Sequence, residues 1–185
     1  MARNRYLALL LGGTAALSAV SAQAVEFSDG RTAFIQPPQF VQAETTNNYV
    51  MRRGATYFFT LDLPAGADEP LHRVVIAPQN LANQLRPYRL EKTEAFTGTP
   101  DRRGEALTIG NATVDETQAV AVEFDPPVAP GQLVTVGLRP QRNPRFDGVY
   151  VFRVTALPPG ENPQAHIAGH GRLYFIDRDR DHRIF

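Results

Sequence analysis

Proline and glycine cut this chain into runs too short for anything but β-strands. They cluster at Pro64-Ala65-Gly66, Pro126-Pro127-Val128-Ala129-Pro130-Gly131, Asn143-Pro144 and Pro158-Pro159-Gly160. Proline lacks a ladder donor and glycine tolerates positive φ, so each cluster ends a strand. Between them apolar residues recur with period two, the mark of a half-buried strand. In Ala55–Leu63, Tyr57, Phe59, Leu61 and Leu63 face one way and Thr56, Thr60 and Asp62 the other. Gln118–Phe124 sets Val120, Val122 and Phe124 on one face, and Gln132–Leu138 does the same with Val134, Val136 and Leu138. Gly148–Leu157, GVYVFRVTAL, is apolar on both faces over its first half. That pattern predicts a central strand covered on both sides, with Val151, Phe152 and Val154 in the core. One short helix is expected at Asn80–Arg86, capped by Asn80, with Leu81 and Leu85 on one face and Pro87 ending it. Eight or nine short strands then imply an all-β, antiparallel, immunoglobulin-like β-sandwich.

The N-terminus reads as a secretory signal over residues 1–24: Arg3 and Arg5, an apolar core from Leu7 to Val20, and Ala22-Gln23-Ala24 as a small-residue cleavage site. The core is interrupted by Gly12 and Gly13 and is shorter than the roughly 20 apolar residues a spanning helix needs. Residues 25–185 are then expected to be a single β-sandwich domain, exported to the periplasm, the cell surface or the medium, with no transmembrane segment after cleavage. Without Arg3 and Arg5, 17 basic residues face 19 acidic ones, a net charge of −2. That balance lacks the positive excess of a general nucleic-acid binder. The chain has no cysteine, so burial rather than disulfides must hold the fold.

Catalytic side chains are scarce. Beyond residue 24 the only serine is Ser28, close to the expected new N-terminus, where a nucleophile is hard to hold. Lys92 is the only lysine and stands between Glu91 and Glu94, as a solvated charge would. The paired acids Asp68-Glu69 and Asp115-Glu116 fall in predicted turns, where solvation is expected. Phosphate-loop, dinucleotide and zincin signatures are absent. No cofactor is expected and no catalytic residue is assigned.

Two stretches carry other chemistry. Arg139, Arg142 and Arg145 lie in GLRPQRNPRFDG, a proline-rich connection. Arginine's planar fork suits carboxylate, sulfate and phosphate groups, so these three are candidate contacts to an anionic ligand such as an acidic polysaccharide. The closing GHGRLYFIDRDRDHRIF sets Asp177, Asp179 and Asp181 at alternate positions, with His170 and His182 nearby and His166 just upstream. The aspartates match the opening of a calcium loop, but His182 occupies the position where that loop turns on glycine. A strand ending in solvated alternating charge explains more of this stretch. A periplasmic metal protein using His166, His170, His182 and the aspartates is the alternative.

Five stretches resemble one family: VEFSDGRTAF (25–34), GATYFFTLDLP (54–64), VEFDPPVAPGQLVTVGLRPQRNP (122–144), GVYVFRVTALPPGENP (148–163) and GRLYF (171–175). Taken in order and at this spacing, they are similar to the cyanobacterial exported proteins classed as domain of unknown function 2808. The resemblance implies an exported protein and assigns no activity, cofactor or catalytic residue; the tail after Ile176 is outside it. The reading that combines these features is a non-catalytic binding or structural module of the cell envelope, with an envelope protein or an acidic polysaccharide as its partner. A hydrolase built on the paired carboxylates is the weakest reading.

Overall fold

A computed structural model describes residues 31–177. The chain runs through β1 (Gln39–Thr45), β2 (Tyr57–Leu63), β3 (Leu71–Pro78), β4 (Glu94–Thr99), β5 (Arg102–Ala106), β6 (Ile109–Val114), β7 (Val120–Val128), β8 (Gln132–Leu138), β9 (Gly148–Leu157) and β10 (His166–Phe175). These pair into two antiparallel five-stranded sheets, ordered β1-β2-β8-β4-β5 and β10-β9-β3-β7-β6. The all-β antiparallel sandwich expected from the period-two runs is the fold that forms. Signal residues 1–24, and Asp179, Asp181 and His182, lie outside the described residues.

The two inward faces make the core. Phe59, Leu61, Val134, Val136 and Leu138 of one sheet meet Val74, Ile76, Val122, Phe124, Phe152 and Val154 of the other, all buried. Aromatic rings close one end: Tyr57 and Tyr150 each lie against Phe175, at 5.5 and 5.3 Å between ring centroids. Fully burying each large apolar side chain stabilises by about 1.5–3 kcal/mol, so this seam replaces the absent disulfides as the main source of cohesion. Where edge strands β1 and β10 meet, a Cβ added at Gly171 would stand 2.8 Å from Ala43 Cβ. Only glycine lets the two sheets approach that closely there.

Three expectations change. No helix forms at Asn80–Arg86: Leu81 is left-handed, a 3-10 turn covers only Ala82–Gln84, and Leu85 is extended. Asn80 binds β9 instead of capping a helix, its Nδ2 donating to Val149 O at 2.9 Å and its Oδ1 accepting from Val151 N at 2.8 Å. Leu81 is exposed and Leu85 buried, so they share no apolar face. β9, in turn, is covered on one side only. Phe152 and Val154 are in the core, but Val151 is half-buried on the outward face alongside Arg153 and Thr155.

The strands buried on both faces are β2 and β8. Their outward face carries Phe58, Thr60 and Thr135, and β5 supplies a lid. The Arg103 guanidinium lies 4.5 Å from the Phe96 ring centroid and 5.1 Å from that of Phe58, and donates to Glu94 at 3.2 Å. A Cβ on Gly137 would meet Phe58 at 2.8 Å, so that position must stay small. Beneath this cover Thr60 Oγ1 donates to Thr135 Oγ1 at 2.9 Å, and Thr135 Oγ1 donates to Gly98 O at 2.6 Å. β5 and β6 bring the strands to ten; their sequences, RRGEA and IGNATV, lack an apolar alternation because they lie at exposed sheet edges.

Candidate anion-binding site

Three loops meet at one end of the sandwich because the strands they join are in register there. Tyr57 opens β2 opposite Leu138, which closes β8, and Glu94 opens β4 opposite Gly137. Loops 46–56, 79–93 and 139–147 therefore leave the sheets side by side. Backbone bonds tie them together: Arg89 N donates to Arg139 O at 2.8 Å, Gln141 N to Pro87 O at 2.9 Å, and Asn143 N to Arg52 O at 2.7 Å. The proline at 140 fits this short ladder because its position bridges Tyr88 without needing a donor of its own.

Asn143 is the buried hub of this end. Its Nδ2 donates to Asn47 O at 2.8 Å and Tyr49 O at 2.7 Å, and its Oδ1 accepts from the Tyr57 hydroxyl at 3.0 Å. The amide thus uses both donors and its acceptor with no exposure to water, as a buried polar group must. Tyr88 packs edge-on against Tyr57 at 6.5 Å between centroids. Burial raises both phenols well above their ordinary range, with the neighbouring Tyr88 and Tyr150 adding to the effect at Tyr57, so Tyr57 is held as a neutral donor.

Over this frame Arg53, Arg86, Arg89, Arg142 and Gln141 line a cavity of about 360 Å³. Each loop contributes at least one arginine. Among the described residues none of these four guanidinium groups pairs with a carboxylate, whereas Arg73 pairs with Glu123 and Arg103 with Glu94. Four like charges converging without internal neutralisation create a positive local potential in a chain whose overall charge is balanced. Guanidinium forks in that setting can take up carboxylate, sulfate or phosphate oxygens two at a time.

Of the arginines singled out in the sequence, only Arg142 lines this cavity. Arg139 turns to Thr56, with Nε and Nη2 each 3.4 Å from the hydroxyl, and Arg145 lies 5.6 Å from the Phe146 ring centroid. Arg53, Arg86 and Arg89 carry no local motif; only the pairing order of the strands brings their loops to Arg142. Arg52-Arg53 before a glycine and the RPYR stretch at 86–89 were the faint signals available.

The other chemistry-bearing residues do not converge. A β-bulge between Ile167 and Gly169 shifts the strand parity, so His166 pairs with inward-facing Ala156 and His170 with outward-facing Arg153. The two histidines thus occupy opposite faces and cannot share an ion. Among the described residues no group of three or more His, Cys, Asp or Glu side chains is placed to hold a metal. Asp115 organises its turn, accepting from Thr117 N at 2.8 Å, Thr117 Oγ1 at 2.7 Å and Ala119 N at 2.9 Å. The Thr117 hydroxyl, then the Ala119 amide, hold its carboxyl below the usual range. Glu69 departs from expectation: it is buried, while its neighbour Asp68 is exposed on a left-handed turn position. Lys92 is exposed in a 3-10 turn. No helix among the described residues is long and apolar enough to cross a membrane.

Fold and loop geometry together define an all-β sandwich with a cationic pocket at one end. The chain belongs to the family described as protein of unknown function DUF2808, whose model matches residues 31–175. Comparison with curated proteins finds no match. Among solved structures the chain is similar to the collagen-binding subdomain ACE19 of the Enterococcus faecalis surface protein ACE, at 8% identity and a TM-score of 0.42, covering 75% of this chain and 98% of that one. A cohesin module from a Clostridium perfringens family 33 glycoside hydrolase matches at 14% identity and a TM-score of 0.41, covering 80% and 100%. The collagen-binding domain of a Staphylococcus aureus adhesin matches at 7% identity and 0.36, covering 70% and 97%.

Proposed function

We propose that this protein is an exported, non-catalytic binding module of the cell envelope that holds an anionic partner in the loop-end arginine pocket. Residues 1–24 direct export and are removed, and residues 25–185 act as one domain. The observation that carries the reading is the convergence of Arg53, Arg86, Arg89 and Arg142 on one cavity without a carboxylate partner among the described residues. A pocket so lined has no group suited to general base or nucleophile work; it offers charge and hydrogen-bond donors, which is the equipment of recognition.

Nuclear magnetic resonance titration tests this. The arginine Nε–Hε signals of the mature protein are followed as polygalacturonate, dextran sulfate or neutral dextran is added. Saturable shifts at Arg53, Arg86, Arg89 and Arg142 with the anionic polymers, and none with neutral dextran, are the expected result. Equal response to all three, or shifts confined to other arginines, contradicts the reading.

A further inference from the structure

We infer that the ligand of this pocket is a linear acidic polysaccharide, engaged through several of its repeated anionic groups at once, and not a single small anion; the inference rests on the reading of the pocket given above. Three features of the site lead to it.

The first is that the loop frame spends main-chain donors on itself. Sites for an isolated phosphate or sulfate ordinarily wrap it in free main-chain N–H groups. Here the N–H groups of Arg89, Gln141 and Asn143, which run along the pocket frame, are all given to carbonyls of the facing loops. With those three donors spent, the guanidinium groups carry the recognition. Arg53, Arg86 and Arg89 are exposed, and each must be ordered when it binds.

The second is spacing. The four charges come from three separate loops, and the loop frame is fixed by Asn143 and by the Arg89–Arg139 and Gln141–Pro87 backbone bonds rather than free to collapse around one ion. A cavity of about 360 Å³ has the volume of about twelve water molecules, far more than one oxyanion fills. Anionic groups repeated along a chain can meet several arginines in one binding event, and each added contact is then intramolecular.

The third is Gln141, the one neutral side chain among the described residues of the lining. Its amide makes no hydrogen bond to a described residue and offers both donors and an acceptor. Arginine only donates. A fully ionised sulfate or internal phosphate group has no hydrogen to give the Gln141 oxygen, whereas a sugar bears hydroxyl groups that both donate and accept. Among the described residues no aromatic side chain lines the pocket, so they offer no stacking platform of the kind single-stranded nucleic acids use.

Calorimetric titration of the mature protein with galacturonate, its hexamer, sulfated dextran of similar length, inorganic sulfate and polyphosphate tests the inference. The hexamer is expected to bind on the order of 100-fold more tightly than the monomer, with inorganic sulfate no better than the monomer. Sulfated dextran binding as the hexamer does identifies repeated charge on a sugar chain as the requirement, and binding of the hexamer alone identifies carboxylate. Gln141→Ala is expected to weaken the hexamer about threefold to tenfold and polyphosphate by less, since phosphate oxygens use only the amide donors. Monomer and hexamer of equal affinity overturn the inference while leaving an anion pocket in place. Polyphosphate binding as tightly as the hexamer, with no effect of Gln141→Ala on the hexamer, overturns the polysaccharide assignment. Failure of every anion to bind overturns both this inference and the reading beneath it.

Discussion

The Tyr57 hydroxyl donates to Asn143 Oδ1 at 3.0 Å, joining the first core residue of β2 to the loop that carries Arg142. Through this bond and the two that Asn143 gives to Asn47 and Tyr49, the packing of the sandwich sets the geometry of the pocket frame. Asn143→Ala strands the Tyr49 carbonyl and the Tyr57 phenol, while Asn47 O keeps the Thr45 hydroxyl at 3.0 Å. The expected cost is about 3 kcal/mol in urea unfolding, since each orphaned buried group costs about 1–3 kcal/mol and local relaxation recovers part. Tyr57→Phe removes one bond and should cost about 1 kcal/mol. Near-zero loss for Asn143→Ala would mean the frame is held elsewhere.

The same burial has a consequence at high pH. Tyr57 and Tyr88 have phenols raised by burial, and Tyr150 is raised by burial and then by the Asp147 charge. In the unfolded chain tyrosine loses its proton near pH 10. Above that pH the unfolded state binds fewer protons than the folded one, so stability present below about pH 10 is lost as pH rises further. Urea midpoints measured from pH 8 to 12 should fall above about pH 10. Tyr57→Phe should make that fall shallower; an unchanged slope in the variant would contradict the assignment.

Phe152 and Val151 are chain neighbours with opposite surroundings. Phe152 lies 5.3 Å from the Phe59 ring across the sandwich, and Phe152→Ala should cost about 3–5 kcal/mol. Val151→Ala, on the outward face, should cost less than about 1 kcal/mol. Equal losses in urea unfolding would mean that β9 is covered on both sides after all.

Arg103→Ala uncovers Phe58 and Phe96 and should cost about 1 kcal/mol, with Arg103→Lys intermediate because ammonium cannot lie flat over two rings. The guanidinium is partly exposed, so its bond to Glu94 adds little to that figure. A Glu94→Gln variant that loses as much stability as Arg103→Ala would show that the ion pair, not the ring cover, holds β5 in place.

Strands β2, β7, β8 and β9 are legible in the sequence because each places alternate apolar residues against one core. β5 and β6 are not, because an edge strand faces water on most sides and carries no such alternation. Which strands have two buried faces is also hidden: Val149 and Val151 look like a second apolar face, yet the strands whose far sides are covered are β2 and β8, and the cover over Phe58 is an arginine from a strand distant in sequence. The site follows the same logic. Arg142 stands out within GLRPQRNPRFDG, but Arg53 and Arg89 join it only through strand pairing, which local composition does not encode. The histidine pair fails for a reason equally invisible in spacing, a single bulged residue that reverses the face of everything after it.

Charge reversal within one loop tests the central claim most directly. Arg142→Glu and Arg145→Glu change the same charge three positions apart, one inside the pocket and one beside Phe146. Affinity for polygalacturonate is measured by calorimetry for both variants, after urea unfolding has established that each is folded. Loss of detectable binding in Arg142→Glu, with Arg145→Glu within about threefold of the unaltered protein, is the expected outcome. Equal loss in the two variants, or loss in Arg145→Glu alone, would contradict the assignment of binding to the Arg53–Arg86–Arg89–Arg142 pocket.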